Sequence, residues 1–227
     1  NNMAGVYSDQ GNYEKALEYN NKALEIKLAV YGDRHPSVAL SYSGIAIVYF
    51  QQDIYEKALE YYNKALEIEL DVLGDRHPSL GDTYNNMAGV YCKQGNYDKA
   101  LELYNKALEV KLDVLGDRHP SVGGTYNNMA VVYCEQGKHE KALEYYNKAL
   151  EIYLPVLGDR HPSVGNTYHS IASVYQEQGE YKKALEYYNK AKDIFLDVYG
   201  DRHPSVGGTY NNMAGVYSDQ GNYEKAL

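Results

Sequence analysis

Residues 74–115 read GDRHPSLGDTYNNMAGVYCKQGNYDKALELYNKALEVKLDVL, and this stretch decides the fold. Pro78 suits the first position of a helix, because its ring fixes a helical φ and its missing N–H is not needed there. From it Leu80, Tyr84, Met87, Ala88 and Tyr91 fall at helical spacing and form one apolar face. Gly95 can take the left-handed conformation that closes a helix. The expectation is a helix A over about 78–94. Asn96 can cap the next helix by accepting an orphan N–H. Tyr97, Ala100, Leu101, Tyr104, Ala107, Leu108, Leu112 and Leu115 then mark a second apolar face, and Gly116 closes it. This is helix B, about 97–115. Its outer face carries Asp98, Lys99, Glu102, Lys106 and Glu109, with Glu102 and Lys106 in the favourable i, i+4 order.

The motif Gly-Asp-Arg-His-Pro begins at Gly32, Gly74, Gly116, Gly158 and Gly200, a step of 42 residues. Residues 74–115 and 116–157 share 31 of 42 positions, and residues 1–17 recur unchanged at 211–227. Neither helix can bury its apolar face alone, and the short Gly95–Asn96 turn makes A and B antiparallel. The pair still leaves apolar surface that only a neighbouring pair can cover. The fold expected is all-α, an α-solenoid of stacked antiparallel helix pairs. The expected organisation is one solenoid over 1–227, cut from a longer array. It comprises a partial repeat 1–31, repeats 32–73, 74–115, 116–157 and 158–199, and a partial repeat 200–227.

Several copies break the pattern. Asp53 stands in the place of Gly95, so a non-glycine must accept the helix-ending geometry. Asn20 replaces the aromatic of Tyr104, and His139 replaces Tyr97. Pro155 falls inside a helix B and removes a backbone bond, which predicts a kink or an early end.

Composition narrows the function. There are 27 Tyr, 2 Phe and no Trp, so tyrosine carries nearly all the aromatic packing. A net charge of −9 and the lack of a Lys/Arg cluster argue against nucleic acid and against an anionic membrane surface. No apolar run reaches transmembrane length. Cys92 and Cys134 suggest neither a disulfide framework nor a metal motif, which points to a reducing, cytoplasmic setting. The loop histidines His35, His77, His119, His161 and His203 recur once per period. At helix-packing distances of about 8–10 Å they stand too far apart to share one zinc, so a turn-and-cap role is expected. Candidate catalytic residues all belong to repeated sets, whereas catalysis needs one unique constellation. No enzyme activity and no cofactor are expected.

Tyr84, Met87, Ala88, Tyr91, Gly95, Ala100, Tyr104 and Ala107 fill, in order, the slots of the tetratricopeptide repeat, which the chain resembles over its whole length. The set recurs at Tyr126, Met129, Ala130, Tyr133, Gly137, Ala142, Tyr146 and Ala149. The period is about eight residues longer than the common 34-residue repeat. The longer form is similar to repeats of kinesin light chains and nephrocystin-like proteins, and to arrays in some nucleotide-regulated immune-type signalling proteins. The resemblance implies a right-handed superhelix that binds peptides or partner helices in a concave groove lined by A helices. The groove slots it implies are Asp82, Asn85, Asn86, Gly89, Cys92 and Lys93, and their spacing independently sets them opposite the buried face of helix A.

Asparagines recur along that face: Asn1, Asn2, Asn85, Asn86, Asn127, Asn128, Asn211 and Asn212, with His169 in one of the slots and Asn166 in the slot of Asp82. An amide can pair with any peptide backbone. Alternatively, one Asn of each pair bonds the adjacent helix and sets repeat spacing. The slot of Lys93 holds Glu135, Glu177 and Asp219 in other copies, so a neutral or basic segment fits better than an acidic tail. The function expected is a protein-interaction scaffold. The alternatives are a structural or head-to-tail self-associating array, and the recognition arm of a larger signalling protein.

Overall fold

The structure, a computed structural model, describes residues 3–222. Asn1 and Asn2 of the expected groove, and the start of a last helix B at 223–227, lie outside the described residues. The helices in chain order are α1 (Met3–Asp9), α2 (Tyr13–Tyr31), α3 (Pro36–Gln51), α4 (Tyr55–Leu73), α5 (Pro78–Lys93), α6 (Tyr97–Leu115), α7 (Pro120–Glu135), α8 (His139–Leu157), α9 (Pro162–Glu177), α10 (Tyr181–Tyr199) and α11 (Pro204–Asp219). Odd-numbered helices are A helices and even-numbered ones are B helices. No strand occurs among the described residues. The chain forms two compact units, Asn1–Gly116 and Asp117–Leu227. Within each unit the A and B helices of one repeat pack together, and each B helix packs on the next A helix.

Local chemistry sets every boundary. Each A helix from α3 onward starts at Pro, preceded by a loop histidine that acts as the N-cap: Nδ1 of His35, His77, His119, His161 and His203 accepts the N–H two residues on, at 3.1–3.2 Å. The A-to-B turn is a Schellman closure. Asn96 N–H donates to Tyr91 O and Gly95 N–H to Cys92 O, both at 2.9 Å, with Gly95 at φ 74°. Asp53 keeps the same two bonds at φ 58°, and its carboxylate accepts the Tyr55 hydroxyl at 2.8 Å. Three loops are tied to the B helix of their own repeat by Arg34–Asp71, Arg76–Asp113 and Arg160–Asp197, at 2.7, 3.5 and 2.8 Å. These pairs are exposed and worth little individually.

Tyrosine does two jobs in the core. Tyr62, Tyr104, Tyr146 and Tyr188 are buried at one recurring B-helix slot beside fully buried alanines such as Ala58, Ala100, Ala142 and Ala184. A second set is half-buried and packs ring against ring between A and B, as in Tyr49–Tyr61 at 5.5 Å and Tyr133–Tyr145 at 5.1 Å. Lysines cover these rings, for example Lys148 at 4.4 Å from Tyr145 and Lys190 at 4.6 Å from Tyr187.

Two sequence expectations need correction. The early end at Pro155 does not occur: α8 runs to Leu157, the same length as its sister helices. Pro155 lies in the last turn, where the Glu151 carbonyl to which it cannot donate is on an exposed residue, and Gly158 N–H still closes on Leu154 O at 3.2 Å. Leu112, assigned to the apolar face, is 37% exposed, whereas neighbouring Lys111 is buried. The Lys111 stem lies against Gly81 and its ammonium reaches Asp82 at 3.0 Å. A lysine can bury four methylenes and keep its charge paired, so the apolar seam passes through position 111 rather than 112.

Candidate protein-interaction face

The expected groove residues lie on the A helices, and some of their slots touch the B helix of the same repeat, as Cys134 does Tyr146 and His169 does Tyr188. Asp82, Lys93, Glu135, Asn166 and Asn211 are exposed, while Asn85, Asn86, Asn127, Asn128, His169 and Asn212 are half-buried. Asp82 is engaged by Lys111.

The first residue of the Asn-Asn pair ties A helices together. Asn127 Oδ1 accepts from Thr167 Oγ1 at 3.2 Å, and in the next copy His169 Nδ1 meets Thr209 Oγ1 at 3.2 Å. Both threonines are fully buried. One buried Thr thus receives the polar tip of the preceding repeat, which favours the spacing role for this position. The periodic Ser41, Thr83, Thr125, Thr167 and Thr209 were the sequence signal for it.

The second residue is drawn into a polar chain in the second unit. Asn212 Nδ2 lies 2.9 Å from His169 Nε2 and borders the Tyr188 hydroxyl. Tyr188 meets Ser173 Oγ at 3.0 Å and donates to Gln176 Oε1 at 3.1 Å, and Gln176 Nε2 donates to Asp219 at 2.9 Å. Burial lowers the pKa of His169, which holds the ring neutral and able to accept a hydrogen bond. These bonds rigidify the face across α9, α10 and α11. Spacing alone did not reveal them, because they need Ser173, Gln176 and His169 together in one copy.

The outer rim of the second unit carries one exposed acid on each A helix: Glu135 on α7, Glu177 on α9 and Asp219 on α11. Cys92 and Cys134 form no disulfide among the described residues. Burial pushes the Cys134 thiol up to about 11, against a contact with Tyr146 Oη at 3.8 Å that lowers it. It is therefore a packing group and not a nucleophile at neutral pH. Elsewhere, two equivalent cavities of about 350 and 360 Å³ lie between the loop arginine and helix B, at Arg76, Tyr84 and Lys106 and at Arg160, Tyr168 and Lys190. No helix among the described residues is long and apolar enough to cross a membrane.

Comparison with known proteins agrees with this architecture. The tetratricopeptide repeat family model matches residues 1–71, 43–113, 79–154, 121–197 and 163–227. The solved structure of BtubC (BKLC) from P. vanneervenii is similar at TM-score 0.80 and 23% identity, covering 94% of this chain and 86% of that one. A Podosopora anserina kinesin light chain-like protein with nearly identical TPR-like repeats is similar at TM-score 0.68 and 24% identity, covering 88% and 94%. Pseudomonas aeruginosa pilF is similar at TM-score 0.63 and 24% identity, covering 99% and 84%. No curated protein sequence matches. These structural likenesses show a shared fold, and the family match spans every repeat. The chain belongs to the tetratricopeptide repeat family.

Proposed function

We propose that the chain is a protein-interaction scaffold whose A-helix face receives an extended, neutral or basic segment of a partner protein. Tetratricopeptide repeats are generally non-catalytic scaffolds, and the residue chemistry here supports that use. The observation that carries the reading is the row of exposed carboxylates Glu135, Glu177 and Asp219, one per A helix, beside polar groups held rigid by hydrogen bonds to buried Thr and Tyr. Rigid donors and acceptors lose little entropy on binding. The carboxylates select for positive charge and steer its approach. At slots next to this row the residue changes between copies, Val131 and Ser173 for instance, over an unchanged scaffold.

The test uses three peptides of equal length, one basic, one neutral and one acidic, titrated by fluorescence anisotropy at low and high salt. The basic peptide is expected to bind best and to weaken with salt. The double variant Glu135→Gln/Glu177→Gln is expected to lose about two- to thirtyfold in affinity for it, since exposed ion pairs contribute about 0.2–1 kcal/mol each. Unchanged melting would show that the loss is local. Equal binding of basic and acidic peptides, or an affinity indifferent to the double substitution, would refute the proposal.

A further inference from the structure

The buried tyrosine slot is filled in four copies and empty in one. Tyr62, Tyr104, Tyr146 and Tyr188 occupy it, but on α2 the residue is Asn20. Across from it on α3, where Asn86, Asn128 and Asn212 stand in other copies and Ser170 in one, stands Gly44. The two small residues are neighbours: a Cβ on Gly44 would lie 3.4 Å from the Asn20 amide oxygen. Together they leave a cavity of about 210 Å³ lined by Ala4, Ser8, Asn20, Gly44, Ile47 and Gln51. Ser8 donates a hydrogen bond to Gln51 at its mouth. Ile47, 41% exposed, and Gln51 place the opening on the A-helix face. Asn20 is 8% exposed, and its amide borders the cavity. A ring that covered this amide without offering it a polar partner would leave it buried and unpaired, which is costly.

We propose that this cavity receives a tyrosine side chain from the bound segment, with its ring between α1 and α3 and its hydroxyl on the Asn20 amide. The inference rests on the A-helix face being the docking surface. A cavity of about 150 Å³ holds a benzene ring, so this one has room for a ring and a hydroxyl. The chain's own tyrosines show that a phenol ring suits the same helix geometry at the other levels. Phenylalanine would leave Asn20 unpaired, and a site built to hydrogen-bond a hydroxyl discriminates against the analogue lacking it. Among the described residues no ionisable side chain lines the cavity.

The test has two arms on the full 227-residue chain. In the first, p-cresol and toluene are titrated by ligand-observed NMR. The p-cresol should bind at least about tenfold better than toluene. Asn20→Tyr should abolish both by filling the cavity, and Asn20→Ala should keep binding but erase the preference for p-cresol. In the second, peptides differing only as Tyr or Phe are compared. The Tyr peptide should bind about tenfold better to the parent chain and show no advantage on Asn20→Tyr. No p-cresol binding, or p-cresol binding unchanged by Asn20→Tyr, overturns the inference. So does a Tyr peptide that binds no better than its Phe twin, an outcome that leaves the docking face standing. If no peptide binds while p-cresol behaves as expected, the face is wrong, and with it the tyrosine of a bound segment as occupant.

Discussion

Gly123 and Gly124 are adjacent in the interior of α7, and the same substitution should act on them with opposite sign. A Cβ on Gly123 would lie 2.8 Å from Tyr153 Cε1 and 3.2 Å from Cδ1 and Cζ. The optimum for carbon pairs is about 3.5–4.0 Å. The ring cannot swing clear, because Tyr153 is buried in a cluster with Ala149, Val164 and Ile171. Overpacking of this kind costs about 1–3 kcal/mol. Alanine in a helix interior gives back about 0.5–1 kcal/mol relative to glycine. Gly123→Ala should therefore destabilise by up to about 2.5 kcal/mol. A Cβ on Gly124 meets only the Tyr153 hydroxyl, at 3.5 Å, an ordinary contact. Gly124→Ala should keep the propensity gain and stabilise by about 0.5–1 kcal/mol.

Thermal melts followed by circular dichroism would read these as Tm shifts of about 2–4 °C per kcal/mol, downward for the first variant and upward for the second. Adding Tyr153→Leu to Gly123→Ala should recover part of the loss, because the obstructing ring is gone. Two single variants that move Tm in the same direction would refute the close-approach argument.

Asp53→Gly removes the strain of a left-handed aspartate and should raise stability by about 1 kcal/mol or less, since the bond from Tyr55 is lost with it; a fall in urea midpoint would contradict this. Lys138 precedes α8 without a side-chain cap, whereas Asn96 caps α6. Lys138→Asn should add about 1 kcal/mol in the same urea titration. Burial raises the Glu69 carboxyl above its ordinary value of 4.5, against hydrogen bonds from Thr83 and Ser79 and the nearby His77, which lower it, and with Asp82 also raising it. Because the folded value lies above the unfolded one, the group's contribution is full below about pH 4.5 and is lost as pH rises through the raised value. Glu69→Gln should therefore stabilise the first unit at neutral pH, and that gain should vanish in acid. A gain of equal size at both pH values would show that charge burial is not its cause.

Helix positions, turns and repeat stacking were legible in the sequence because each follows from a local rule or from periodicity. Pro78, Gly95 and Asn96 act within a few residues of themselves. The alanines work through a spacing that any helix must obey. The failures share a different physics. Position 111 is Lys27, Glu69, Lys111, Tyr153 or Phe195 in successive copies, yet it is one packing site. For Lys111, Tyr153 and Phe195 the neighbour across the repeat is Gly81, Gly123 and Gly165, against which each of the three lays its stem or ring. Residue chemistry labels Lys111 as surface; only the small partner on helix A shows that a long side chain of any kind belongs inside. The same holds for Asn20. Alone it is a weak substitution for tyrosine, and only with Gly44 facing it does it become a cavity. Function-bearing departures in such an array are thus readable as pairs, one from each helix, at positions that touch across the repeat. A scan of single positions against the repeat pattern misses them, because each half is tolerable alone.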